Sequence, residues 1–207
     1  MIYGMIPLLT AQQLAFFSQN RYLELEGLLT KEACTQYLES IQSVLQQRGA
    51  RDLWRDVPTL KSLILSRKCT SIAQSVCGQN SLRVACDQWF EPLFQFDHPS
   101  KIKDLLSIQG VEVVFLIALS PPPEHRTFTL GLFPFPRAVG NALLVHPDLL
   151  LNWPPQDSGL YMIAYAKANS IFIHNPKDSY SSMMRQFGYG FGDLLTNQTH
   201  PRVPTHH

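Results

Sequence analysis

The sequence predicts an α+β fold in which helices come first and a β core, closed into a sandwich or barrel, follows. Three observations predict it. The first 78 residues carry capped, amphipathic helical patterns; residues 111–119 (VEVVFLIAL) form a nearly unbroken β-branched and aliphatic run; and short strand-like segments separated by Pro, Gly and Asn turns come after it. With 207 residues, 45% hydrophobic and only 16% charged, one domain with many elements buried on both faces is expected.

Each element has a local reason. Thr10 N-caps a helix over 11–19, with Gln13 at N3 completing a capping box and Leu14 and Phe17 on its apolar face. Residues 22–25 alternate as a short strand that Gly27 ends. Thr30 caps a second helix over 31–48, where Tyr37, Leu38, Ile41, Val44 and Leu45 recur at helical spacing up to Gly49. Past Trp54 and Pro58 come two short helical patterns, the second running through Ile72, Ala73 and Val76 to a stop at Gly78. Residues 81–90 (SLRVACDQWF) read as a strand, and 111–119 as a central strand buried on both sides, ended by Pro121-Pro122-Pro123. Residues 127–133, 142–145, 160–165 and 170–174 are further strands. Asp178 or Ser179 caps a last helical turn over 180–187, with Gly188 in the C′ position. The expected layout is a helical region to about 78, a β core over 81–175 and a C-terminal turn and helix segment from 178.

Composition excludes several classes. A net charge of +1 without any run of Lys or Arg offers no field for nucleic acid. No apolar stretch approaches the roughly 20 residues of a membrane helix. The start MIYGMIPLLT lacks a basic n-region and a small-residue cleavage site. Cys34, Cys69, Cys77 and Cys86 show no Cys-x-x-Cys spacing and sit in apolar periodic segments, so they read as buried reduced thiols of a cytoplasmic protein rather than disulfides or zinc ligands. A Gly-x-Ser-x-Gly elbow is absent, and the Gly-x-Gly of residues 188–192 supplies turns. His206 and His207 carry no weight. The cluster Trp89, Phe90, Phe94 and Phe96 reads as core or as one wall of a ligand slot.

The pattern LT-x-x-QL-x-FF-x-x-N-x-YL-x-L-x-GLLT-x-E of the first stretch resembles the opening of the phytanoyl-CoA dioxygenase-like family. IAQSVCGQNSLRVACDQWF (72–90) is similar to that family's helix, glycine and strand entering its barrel, and VEVVFLIALSPPPE (111–124) to a later strand. The resemblance implies a double-stranded β-helix (jelly-roll, cupin-like) core with the N-terminal helices packed outside. It also implies a chemistry. A His-x-Asp pair on one strand and a distal His on a later one hold Fe(II), leaving open positions for 2-oxoglutarate and dioxygen. An Arg eleven residues beyond the distal His pairs with the co-substrate carboxylate, a task that suits a forked guanidinium.

Two ligand assignments stay open. The single His-x-Asp of the chain is His146-Pro147-Asp148; taking His174 as distal leaves only residues 149–173 between them, room for about two strands, and the motif otherwise reads as a polar turn. The register of the resemblance instead points between Gln88 and Val111, where Asp97-His98-Pro99 and Asp104 stand in the wrong order. On this assignment His98 and His174 are the metal ligands and Arg185, eleven residues after His174 with Ser181 between, holds 2-oxoglutarate. Two departures weaken it: no carboxylate follows His98 at the second position, and Arg185 falls on a helical pattern, where Asp178 would satisfy it equally. The expectation is therefore a non-catalytic or strongly diverged relative, a binding or regulatory module without iron, with an unidentified small molecule or protein as partner. The alternative is an active Fe(II)/2-oxoglutarate-dependent oxygenase acting on a small or lipid-like substrate.

Overall fold

A computed structural model describes residues 9–46, 49–91, 99–120, 135–136, 138–151, 153 and 159–205. Helices α1 (Ala11–Asn20), α2 (Lys31–Leu45), α3 (Pro58–Ile64) and α4 (Arg67–Cys77) precede most of the sheet. The Thr10–Gln13 capping box forms in both directions, Gln13 N donating to Thr10 Oγ1 at 3.2 Å and Thr10 N to Gln13 Oε1 at 2.8 Å. Thr30 and Ser66 cap α2 and α4, and Gly78 closes α4 with φ +61°.

The main sheet has five strands, β1 (Tyr22–Leu25), β2 (Leu82–Phe90), β4 (Ile108–Ala118), β5 (Ala142–Val145) and β7 (Leu160–Phe172), in the order β1-β5-β4-β7-β2. All its pairings are antiparallel. A two-stranded sheet of β3 (Ser100–Lys101) and β6 (Leu150–Leu151) forms a second layer, and a short α5 (Ser181–Gln186) follows β7.

Alternation sorts the residues of the main sheet between two cores. Val113, Phe115, Ile117, Tyr161, Ile163 and Tyr165 join Phe17, Ile41, Leu60, Ile64 and Ile72 of the helices. Val114, Leu116, Leu143, Met162 and Ala164 face the other way, toward Ile102, Leu106, Leu151 and Trp153 of the smaller layer. The helices thus pack outside the sheet, and the space between the two sheets is the interior of the barrel.

The expected central strand at 111–119 is β4, which starts three residues earlier at Ile108. Two expected strands, 160–165 and 170–174, are one strand of 13 residues, β7. The expected strand at 127–133 lies outside the described residues. Helix α2 ends at Leu45 within the described residues. All four cysteines are free, as expected, and Cys34, Cys69 and Cys86 are buried.

Candidate functional site

A polar construction inside the barrel begins with residues 50–52, which run beside β2. Trp89 N donates to Ala50 O at 2.7 Å and Asp52 N to Asp87 O at 3.0 Å, and Arg51 bridges Gln88 as an added rung of sheet. That rung puts Arg51 on the barrel side of β2, next to Gln88. A Cβ on Gly49 would run into the Tyr180 hydroxyl, so the residue that stops the second helical pattern also makes room for the C-terminal segment.

Asp178 arrives from the turn after β7. Its two oxygens face the two terminal nitrogens of Arg51 in a forked pair, each N–O distance 3.3 Å, with side-chain exposures of only 7% and 2%. The carboxylate also accepts Ser107 N at 2.7 Å and Tyr180 N at 3.0 Å. Arg51 is held further by Gln88 Oε1 at 3.5 Å, by the Tyr180 ring 5.4 Å away, and through its backbone N–H by the Tyr180 hydroxyl at 3.1 Å. A buried ion pair is tolerable when the remaining hydrogen-bonding capacity is filled, and here most of it is.

This pair forms one end of a cavity of about 220 Å³ whose wall continues through Gln88, Phe90, Trp153 and Met162, with Ile102 and Leu106 behind. Phe90 and Trp153 pack with ring centroids 5.7 Å apart, and Phe135 leans on Trp153 from the far side at 5.6 Å. Exposed Lys177 and Ser179 stand at the rim.

Of the residues singled out from sequence, Phe90 of the aromatic cluster lines the cavity, whereas His174 and Arg185 do not. His174 and Arg185 do meet, Arg185 Nη2 3.3 Å from His174 Nδ1, but both are exposed and neither lines the cavity. The same His174 nitrogen lies 3.1 Å from Ser181 Oγ, so its lone pair already faces two donors. Asp178, expected as a cap or as a partner of Arg185, pairs with Arg51. His98 and Asp97 lie outside the described residues, as do Phe94 and Phe96. His146-Pro147-Asp148 is a turn between β5 and β6: Leu149 N donates to His146 O at 2.9 Å, and Asp148 is ion-paired with Lys103 at 2.5 Å. Burial lowers the His146 pKa, and the Lys103 hydrogen bond lowers that of Asp148.

On the opposite side of β2, Asp87 is fully buried and accepts both the Tyr161 hydroxyl and Trp54 N on one oxygen. Burial, with Asp52 nearby, raises its pKa to about 7 despite those donors. His200 is equally enclosed, and burial followed by the Arg55, Arg83 and Arg51 charges pushes its pKa down to about 3, so its imidazole is neutral.

No family model and no curated protein matches this sequence. Solved structures do match its architecture. The non-heme α-ketoglutarate-dependent carbocyclase SnoK from nogalamycin biosynthesis superposes with a TM-score of 0.74 at 16% identity, covering 95% of this chain and 97% of its own. The epimerase SnoN, in complex with Fe3+, α-ketoglutarate and nogalamycin RO, gives 0.68 at 13% identity over 93% and 98%. CytC3 with Fe(II) and α-ketoglutarate gives 0.60 at 13% identity over 81% and 80%. The chain has the double-stranded β-helix fold. It is the fold of Fe(II)/2-oxoglutarate-dependent oxygenases.

That fold implies iron and a dicarboxylate co-substrate, and the described residues fit neither. β3 and β6 pair side by side in the smaller sheet, and the β6 side chain that points into the barrel core is Leu151, fully buried, while Leu150 is 52% exposed. Met162 lines the cavity, and the His174–Arg185 pair that the resemblance places eleven residues apart does not. Among the described residues, no three His, Cys, Asp or Glu side chains converge as a metal would need. The buried arginine nearest the cavity already holds an internal carboxylate. Sequence reasoning missed Arg51, Gln88 and Asp178 as a unit because Asp178 lies 127 residues from its partner. The Asp87-Gln88 dipeptide and Phe90, read as core or as a wall of a ligand slot, are the local traces of this region.

Proposed function

We propose that this chain is a non-catalytic, strongly diverged relative of the Fe(II)/2-oxoglutarate-dependent dioxygenases that keeps the barrel as a binding or regulatory module for a small molecule. The observation that carries the reading is a cavity walled by Phe90, Ile102, Leu106 and Met162 whose buried arginine, Arg51, is already neutralised by Asp178. Apolar side chains give a divalent cation nothing to replace its water shell, and the terminal Nη1/Nη2 fork of Arg51 is filled by one internal carboxylate. The phytanoyl-CoA dioxygenase-like opening is the nearest relationship we assign within the fold. We place the protein in the cytoplasm, which four unpaired thiols suit; no helix of the described residues is long and apolar enough to cross a membrane.

The test is anaerobic titration with Fe(II), followed by a 2-oxoglutarate turnover assay in air. The expected result is no stoichiometric iron and no succinate above the protein-free rate. Binding near one equivalent together with succinate formation overturns this reading.

A second reading, an active oxygenase with His98 and His174 as iron ligands and Arg185 as the co-substrate arginine, is favoured by one contact: Arg185 reaches His174 across the predicted eleven-residue spacing. On that reading His174→Ala abolishes iron uptake. On ours, it changes nothing in the metal titration.

A further inference from the structure

We infer that the barrel cavity selects an uncharged ligand of benzene to indole size, because Asp178 already occupies the position on Arg51 that a ligand carboxylate would take. This inference rests on the iron-free binding reading and names the ligand class of the same site.

Size comes first. A dry cavity of about 150 Å³ is enough for benzene, and ligand pockets for drug-sized molecules start at about 300 Å³. The cavity here, about 220 Å³, falls between them. Phe90 and Trp153 supply flat apolar walls, tilted at 50° to one another, and Met162 gives a deformable one.

Charge decides the rest. The guanidinium of Arg51 spends both terminal nitrogens on Asp178, whose oxygens in turn accept two backbone N–H groups. Arg51 and Asp178 together present no net charge to the cavity. A carboxylate entering it would lose its hydration and face the Asp178 carboxylate, and among the described lining residues no unpaired buried cation offsets either cost. Lys177 does not change this, since it is exposed at the rim and water screens it. Among the described lining residues, the half-buried neutral polar group is the carboxamide of Gln88, whose oxygen faces Arg51 and whose amide N–H groups match a single hydroxyl or carbonyl oxygen.

The experiment compares benzyl alcohol with benzoate, two probes of similar size, one neutral and one anionic, by calorimetry at pH 7.5 with EDTA present. On the unaltered protein, benzyl alcohol should bind at least about tenfold more tightly than benzoate. Equal affinity, preference for benzoate, or binding of neither overturns the inference. Asp178→Asn removes the charge that neutralises the arginine while keeping an acceptor oxygen for one of the two backbone N–H groups. In that variant the preference should invert, and benzoate should raise the melting temperature where benzyl alcohol does not. If the variant does not fold, the comparison on the unaltered protein still decides. Because EDTA removes metal, a wrong charge preference leaves the iron-free reading standing, and iron uptake in the separate titration overturns that reading without touching the charge argument.

Discussion

Asp87 and Gln88 are neighbours on β2 and serve opposite sides of the same sheet. Gln88 faces the barrel beside a charge pair that is matched: Arg51–Asp178 is forked, stacked on Tyr180 and backed by two backbone donors. Asp87 faces the helices, and its carboxylate is not. One of its oxygens takes two donors, while its Oδ1 and the Oδ1 of Asp52 are buried without a hydrogen-bond partner among the described residues. A charge balanced by geometry is stable but fragile to truncation. A charge left unbalanced is relieved by protonation instead, and it makes stability depend on pH.

The largest effect follows from truncating the balanced side. Asp178→Ala leaves Arg51 cationic and buried and also strips the acceptor from Ser107 N and Tyr180 N. We expect a loss of about 3–5 kcal/mol in urea unfolding. Arg51→Met should cost clearly less, because Asp178 keeps its two backbone donors and the methionine fills the space. Equal losses for the two variants would break the comparison, since they would mean that the pair matters only as packing.

That difference in wiring also explains what was readable from sequence. The capping box at Thr10 and Gln13, the Thr30 cap and the Gly78 stop are interactions within four residues, so their chemistry is written locally. The run through Val113 to Ala118 is buried on both faces, and a continuous apolar run is what such a strand needs. β7 appeared as two strands because Lys167 and Asn169 interrupt its apolar pattern. In the structure its far half remains strand, with Ile171 and Phe172 paired to Gln109 and Ile108 across a register shift near Gly110, which has φ +102°. The candidate site was legible in part, as the Asp-Gln dipeptide and as the aromatic cluster whose Phe90 lines the cavity. The rest of it depends on Arg51 and Asp178, whose meeting across the barrel no local spacing encodes.

The unbalanced side makes a prediction of opposite sign. Asp87→Asn keeps an oxygen for Tyr161 and Trp54 N and removes a carboxylate beside Asp52. At pH 8 it should stabilise the protein by about 1–3 kcal/mol.

The pH profile tests the same idea without relying on one measurement. Asp87, raised to about 7 by burial and then Asp52, contributes stability that is complete below about 4 and lost as pH rises through 7. His200, lowered to about 3 by burial and then the neighbouring arginines, contributes stability that is present above about 6.5 and lost as pH falls through 3. Between about 4 and 6.5 the two slopes oppose each other, so stability of the unaltered protein should be nearly flat there and decline toward pH 7. In Asp87→Asn only the His200 limb survives: the curve should rise to about pH 6.5 and then level. A decline toward pH 7 that persists in the variant would remove Asp87 as its source.

The smallest effect compares the thiols of the two cores. Cys34 and Cys69 pack in the helix-side core, Cys86 faces the barrel, and Cys77 lies at the end of α4. Cys86 is the sharpest case, because Arg51 pulls its pKa down while burial pushes it up; burial wins, and the thiol is raised to about 12. Cys77 is also raised to about 12, again by burial first, but it is only half-buried and therefore reachable. A thiol reagent at pH 7.5 should accordingly modify the native protein slowly, at Cys77 before the other three, and all four promptly in urea. The order matters more than the rate. If Cys86 reacts first, the positive charge of Arg51 is acting on it unneutralised, and the balance assigned to the Arg51–Asp178 pair is wrong at its closest neighbour.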